Sequence, residues 1–369
     1  MTRVFMTGGS LIIVFLIIAS FMYSYSVIND SKKPILPSRP ILSSNTTNKQ
    51  CSPATRIVFL KTHKTGGSTV SSILARYAYK WNLKMPRYKS TTNRIAFNRD
   101  MMKSQSNLKI LASHTIYNKP EMNFVFGNAI YITILREPSA QFESSFVFFE
   151  MAKELNIEHF ENPIEEFMRV PNKYMRTPGF KQSLKTQNDQ FRLLALPKSR
   201  YADKSFIQYK LKQLEFEFDL VLMNEYFDES LILLRKLLCW QFKDMLYISK
   251  KIRNKRTMMS RQLREKIRAW NSADVTLYNY FNQTFWRKVS EYGDSFSADL
   301  EHFIELKKET TEKCIGGYSD GLLRSPQIRQ YLTPRENQFC ANLIKDATVF
   351  MKLMDSKINT DILESLFLA

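Results

Sequence analysis

Arg56-Ile-Val-Phe-Leu-Lys-Thr-His-Lys-Thr-Gly-Gly-Ser-Thr69 joins three features in fourteen positions: an apolar run, a Gly-Gly turn and the start of a helical pattern. The run Ile57-Val-Phe-Leu60 has no alternation, as expected of a strand buried on both faces. Val70, Ile73, Leu74 and Tyr77 then recur at helical spacing across Ser68 to Tyr79. Gly66 and Gly67 let the backbone turn sharply, and the amides of Gly67, Ser68 and Thr69 fall at a helix N-terminus, where the peptide dipoles favour an anion. Lys61 and Lys64 add positive charge, and the hydroxyls of Thr65, Ser68 and Thr69 add donors. The stretch reads as a phosphate cradle. It is not the nucleoside triphosphatase loop, since GxxxxGK[ST] is absent and Lys64 precedes the glycines.

Downstream the pattern repeats. Lys109-Ile-Leu-Ala-Ser113 and Ala129-Ile-Tyr-Ile-Thr-Ile-Leu135 are candidate strands, the latter followed by a helix from about Ser139. Phe218-Asp-Leu-Val-Leu-Met223 is a fourth strand, followed by a helix through Leu231 to Leu238. Strands alternating with helices predict an α/β domain with a central parallel sheet. The C-terminal third reads as helical and basic, and no internal repeat is present.

Arg136 directly follows the third strand, at the carboxyl edge where open α/β sheets bind ligands. Ser144 lies about two turns into the next helix, and an Arg fork with a serine hydroxyl can hold a second phosphate. Two anion sites on one sheet describe a nucleotide phosphorylated at both ends. His63 and His114, two of only 4 histidines, also fall at predicted strand ends, and imidazole suits proton transfer near neutral pH. His159 and His302 lack that setting and read as structural. The basic run Lys250 to Arg256 reads equally as a loop over a phosphate or as a solvated charge run.

The 369 residues carry 54 Lys and Arg against 35 Asp and Glu, a formal charge of +19, which points to an anionic partner. Val4 to Ile28 holds no charged residue, and a helix through it would rise roughly 37 Å, enough to cross a hydrocarbon core of about 30 Å. The expected organisation is a tail at 1–8, a transmembrane signal anchor at 9–28, a polar stem at 29–54 and a folded domain at 55–369. Flanking charges do not orient the anchor, since Arg3 lies on one side and Lys32, Lys33 and Arg39 on the other. Sequons at Asn45 and Asn282 are candidate glycosylation sites. Cys51, Cys239, Cys314 and Cys340 allow two disulfides in three connectivities, and their spacing suggests no metal site.

The cradle and the Arg136 segment together resemble the 5′-phosphosulfate and 3′-phosphate motifs of sulfotransferases. More narrowly, the chain resembles the galactose-3-O-sulfotransferase family. The resemblance rests on Phe59-Leu-Lys-Thr-His-Lys-Thr65, Leu135-Arg136 with Phe142-Glu-Ser-Ser-Phe146, Glu225-Tyr-Phe-Asp-Glu-Ser-Leu231 with Leu237-Leu-Cys-Trp240, and Phe281-Asn-Gln-Thr-Phe-Trp-Arg-Lys-Val289. It implies a P-loop-like sulfotransferase fold and a type II Golgi membrane protein with a lumenal catalytic domain. It further implies 3′-phosphoadenosine-5′-phosphosulfate as donor, no metal, and the 3-hydroxyl of a galactose on a glycolipid or glycoprotein glycan as acceptor. His114 is the expected base, His63 shares that role or contacts the sulfate, and Lys64 supplies the positive field, with Lys61 assisting. Gly66-Gly67 stands where relatives carry small residues such as Ala-Ser, and Glu137 replaces the usual Asp. Similarity fades beyond about Leu306, which leaves the acceptor open. Rival readings are a sulfotransferase of glycosaminoglycan chains and an inactive, membrane-anchored glycan-binding protein. A homodimer is compatible with the sequence, and nucleic acid is excluded as a partner by the anchor and sequons.

Overall fold

Strand β1 (Ile57–Leu60) is apolar throughout and has no exposed surface. It can be so only if both faces of its sheet are covered and both edges paired. In the computed structural model, which describes residues 51–87, 95–102, 105–248, 259–319, 330–332 and 337–356, both conditions hold. β1 pairs in parallel with β2 (Ile110–Ser113) on one edge and β3 (Ile130–Leu135) on the other, and β3 pairs in parallel with β4 (Leu220–Met223). The strand order is β2-β1-β3-β4. All four strands fall within the segments that the sequence predicted.

Helix α1 (Gly67–Lys80) leaves β1 through the Gly-Gly turn and buries Val70, Ile73, Leu74 and Tyr77, its predicted apolar face. Next come α2 (Lys119–Phe126) between β2 and β3, and α3 (Pro138–Phe148) after β3. Pro138 suits the first turn of α3, and the Glu137 carboxylate caps it by accepting from the Ala140 amide at 2.9 Å. Before β4 come α4 (Pro163–Arg169), the short α5 (Asp189–Leu193) and α6 (Lys204–Glu217). α7 (Phe227–Leu238) follows β4. The predicted helical C-terminal third appears as α8 (Arg261–Trp270), α9 (Ser272–Tyr292) and α10 (Ser295–Cys314). A small antiparallel pair, Gly317–Ser319 with Gln330–Leu332, then α11 (Gln338–Ile344) and a helical stretch over 347–356 complete the described chain.

One core surrounds the sheet, and a second lies away from it, where Phe142, Phe146, Phe167, Leu263 and Ile267 join α3, α4 and α8. Of the three possible connectivities, the cysteines adopt Cys51–Cys239 and Cys314–Cys340. The first fastens the segment before β1 to the end of α7. There the Ala54 amide also donates to the Leu238 carbonyl at 2.9 Å, and the Trp240 indole donates to the Ala54 carbonyl at 3.2 Å.

No helix among the described residues is long and apolar enough to cross a membrane. The predicted anchor at 9–28, the Asn45 sequon and the basic run Lys250–Arg256 lie outside the described residues.

Candidate functional site

The strand order sets the location. β2 lies on one side of β1 and β3 on the other, so the chain steps outward from β1 to β2 and then crosses back past β1 to β3. That reversal is a topological switch point, and ligands of open α/β sheets bind in the crevice beyond the carboxyl ends there. The segments that emerge at this crevice are Lys61–Thr69 from β1 and Arg136–Glu137 from β3.

The loop after β1 is rigidly built. Thr62 Oγ1 donates to the Ile134 carbonyl at 2.5 Å and lies 2.8 Å from Thr65 Oγ1, and both threonines are fully buried. Lys64 and Gly66 take left-handed backbone conformations, with φ of 60° and 87°, on either side of Thr65. Such alternation gathers successive amides into a concavity suited to an anion. A Cβ on Gly66 would sit 2.6 Å from Asn224 Nδ2, and one on Gly67 would sit 2.8 Å from Lys61 Cγ. Neighbouring chain therefore packs tightly against the back of the turn. Part of that backing, Asn224 and Phe227, comes from the segment after β4, which the sequence singled out without giving it a function.

Residues of the second predicted anion site converge on this loop. Arg136 Nη1 donates to the Lys64 carbonyl at 3.1 Å, which joins the two predicted anion sites directly. The Lys64 ammonium lies 3.6 Å from the centroid of the Phe148 ring, and Phe148 is 46% exposed. An exposed aromatic ring at a charged site is an unassigned contact surface. Ser144 is buried in α3, two turns beyond Arg136. Glu137 accepts from Ser139 Oγ at 2.6 Å and from Arg268 Nη1 at 2.5 Å, which ties α8 to the start of α3. Burial would raise the Glu137 carboxyl, but these bonds and the cap hold it below the usual carboxylate range.

The two histidines meet. Their rings stack with centroids 4.5 Å apart. His114 Nδ1 lies 2.8 Å from the Lys61 carbonyl, a pure acceptor, so Nδ1 carries the proton and in the neutral ring the lone pair sits on Nε2. Burial, then the charges of His63 and Lys61, push His114 well below the ordinary histidine value. His63 Nδ1 lies 2.7 Å from Asp189 Oδ2, with both side chains almost wholly buried. Asp189 also accepts from Arg192 at 2.6 Å. Burial alone would raise Asp189, but His63 and Arg192 outweigh it and hold the carboxyl well below its usual range.

Asp189 and its neighbour Gln190 escaped the sequence reading. Gln190 exchanges two hydrogen bonds with the Arg136 backbone, accepting from its amide and donating to its carbonyl, each at 2.9 Å. Gln141, also missed, donates to the His63 carbonyl at 3.0 Å. Asp189 lies 126 residues from His63 and Gln190 lies 54 from Arg136, so no local pattern links them. The one available signal was a polar run, Thr186-Gln-Asn-Asp-Gln190, set directly before an apolar one.

Asn282 lies within α9, half-buried, with Oδ1 shielded from solvent, and Thr284 of the same sequon is buried. A sequon is expected on a surface loop, so this environment does not favour Asn282 as a modified position.

The sequence model of the galactose-3-O-sulfotransferase family matches residues 1–340. The chain belongs to this family. It is 33% identical over 298 residues to galactosylceramide sulfotransferase of Homo sapiens, which covers 77% of this chain and 70% of that protein. Against galactose-3-O-sulfotransferase 3 of Mus musculus the identity is 32% over 273 residues, covering 70% of this chain and 63% of the relative. Galactose-3-O-sulfotransferase 2 of Homo sapiens is 27% identical over 309 residues, covering 79% and 77%. These matches support a galactose 3-O-sulfotransferase activity.

Proposed function

We propose that the protein transfers a sulfuryl group from 3′-phosphoadenosine-5′-phosphosulfate to the 3-hydroxyl of a galactose on a glycolipid or glycoprotein glycan, with His114 as base. The observation that carries this reading is the stacked His63–His114 pair beside a loop whose Lys64 carbonyl is held by Arg136. A cofactor with a phosphosulfate at one end and a phosphate at the other needs two anion sites a short distance apart. The amides of Gly67 to Thr69 with Lys61, Lys64 and the Thr65, Ser68 and Thr69 hydroxyls fit the phosphosulfate. Arg136 with Ser144 fits the 3′-phosphate.

The hydroxyl oxygen attacks sulfur as the bond from sulfur to the bridging phosphate oxygen breaks. The electron pair leaves on 3′-phosphoadenosine-5′-phosphate, and the hydroxyl proton passes to His114 Nε2. Positioning and a fixed positive field dominate such transfers. His63 stacks against the base with Asp189 behind it, and shares its role or contacts the sulfuryl group. Lys64 leaves its parking place over Phe148 to meet the developing negative charge.

The cellular setting belongs to the same proposal. Residues 9–28 anchor the chain in the Golgi membrane with 1–8 cytoplasmic, 29–54 form the stem, and 55–369 lie in the lumen, where the two disulfides persist. Asn45 is the favoured glycosylation site.

The test is transfer of labelled sulfate by the full-length enzyme, solubilised in detergent, to galactosylceramide, lactosylceramide, N-acetyllactosamine and a heparan precursor. Label on the galactose 3-hydroxyl is the expected result, with kcat/KM at least about 100-fold lower in Lys64→Ala, the loss typical of one transition-state donor. Label on the heparan precursor alone would place the enzyme with glycosaminoglycan sulfotransferases. Absence of both transfer and donor binding would remove the enzymatic reading.

A further inference from the structure

The residues that touch both halves of the crevice belong to one three-residue turn. Asn188 adopts a left-handed conformation, with φ of 48°, and is 1% exposed. Its amide donates to Asn271 Oδ1 at 2.7 Å, and its own Oδ1 accepts from the Asp274 amide at 3.0 Å. Asp274 in turn accepts from the amides of Gln190 and Phe191 at 3.1 Å and 2.8 Å. The turn is thus pinned to the start of α9 by four bonds among buried groups. From this base Asp189 reaches His63 and Gln190 reaches Arg136. A polar cluster of this kind, fully partnered, is rigid, and a broken one is costly.

We propose that Asn188–Asp189–Gln190 is a positioning clamp for sulfuryl transfer, in which Asp189 fixes the proton of His63 on Nδ1 and Gln190 fixes the backbone of Arg136. It rests on the reading of the crevice given above and adds which residues hold its two halves in register. Asp189 and Gln190 act through His63 and Arg136 and are positioning residues. With Nδ1 committed to Asp189, the chemistry of His63 is left to Nε2, the nitrogen on the other side of the ring.

Arg192 makes the clamp testable. It donates to Asp189 Oδ1, while His63 meets Oδ2. In Asp189→Asn the side-chain oxygen stays with Arg192, so the new NH2 faces His63 Nδ1. That nitrogen must then accept, and the ring proton moves to Nε2. Gln190→Met keeps the volume of the side chain and removes both bonds to Arg136.

The experiment uses the full-length enzyme with three readouts: kcat, the Kd of 3′-phosphoadenosine-5′-phosphate, and the His63 tautomer from ring 15N shifts assigned with a His63→Gln variant. Asp189→Asn is expected to lower kcat by about 100-fold or more while changing nucleotide Kd less than about 3-fold. Gln190→Met is expected to raise nucleotide Kd about 10-fold, with the His63 proton still on Nδ1. A shared loss of both readouts in both variants, tracking a lowered Tm, would mean an ordinary structural cluster and overturn the proposal. So would Asp189→Asn at wild-type kcat, or Gln190→Met at wild-type Kd. Should Asp189→Asn fail to fold, the wild-type spectrum decides: a His63 proton on Nε2 alone overturns the clamp. A wild-type enzyme with the Nδ1 proton in place but no sulfate transfer to any acceptor would instead count against the proposed reaction.

Discussion

His114, the proposed base, is held in the form that this role needs, and Lys64 rests against an exposed ring. A base must be deprotonated before it can accept, and His114 is pushed well below the ordinary histidine value by burial and by neighbouring positive charge. The sign follows directly: protonation, and loss of activity, should set in only when pH falls well below 6.5, with a flat rate through neutrality. The kcat profile of the wild-type enzyme checks this, and His114→Ala should abolish the acid limb along with most of the rate. An acid limb centred at or above pH 7 would assign the proton to another group. The resting contact of the Lys64 ammonium with Phe148 leads to a second expectation. Phe148→Ala should raise KM for the acceptor several-fold and leave nucleotide Kd close to wild type, because an exposed aromatic face suits a sugar ring better than a phosphate. A change in nucleotide Kd alone would show that the ring serves only Lys64.

At the level of elements, the four strands were legible because a parallel strand buried on both faces has no alternative to an unbroken apolar run. Ile57–Leu60 and Leu220–Met223 are buried along their whole length. α1 was equally readable, since its burial follows helical spacing. α5 was not. Asn188, Asp189 and Gln190 are about as buried as the strands, yet their polarity is that of a surface loop. Their burial is balanced by partners just after β1, just after β3 and at the start of α9, all distant in sequence. The disulfide pairing was hidden for the same reason. Asp274, which holds α5 to α9, is fully buried and its carboxyl is pushed up to about 7, chiefly by desolvation. An acid with a raised folded-state pKa binds its proton more tightly folded than unfolded. Its stabilising term is therefore complete below about pH 4 and lost as pH rises to 7. The three-unit window is worth on the order of 4 kcal/mol. Asp189 has the opposite sign, but its window lies below pH 4 and does not overlap. His114, depressed below 6.5, acts with the opposite sign in the same range, so in urea melts between pH 4.5 and 7.5 the slope of stability against pH should become more positive in Asp274→Asn than in wild type, even if the level falls. An unchanged slope in the variant would assign the effect elsewhere.

The whole molecule adds two constraints that no single site contains. Cys51–Cys239 spans 188 residues, so it restrains nearly the full sheet-bearing part of the unfolded chain, whereas Cys314–Cys340 spans 26. Cys239→Ser should cost more than Cys340→Ser, within the range of about 2–5 kcal/mol for native disulfides, as urea midpoints at equal m-value would show. The second constraint is charge. The chain carries 54 basic against 35 acidic residues, and the proposed donor is a polyanion. Such a field raises the encounter rate and is screened over about 10 Å at 0.1 M salt. The charges in the crevice act at contact distance and are screened far less. Raising ionic strength from 50 to 300 mM should therefore lower kcat/KM for the donor several-fold with little change in kcat. Neutral acceptors should show no comparable trend, because the field does not act on them. Equal salt sensitivity for donor and acceptor would point to a change in the enzyme itself, and the net charge would then serve solubility or a membrane surface rather than capture of the nucleotide.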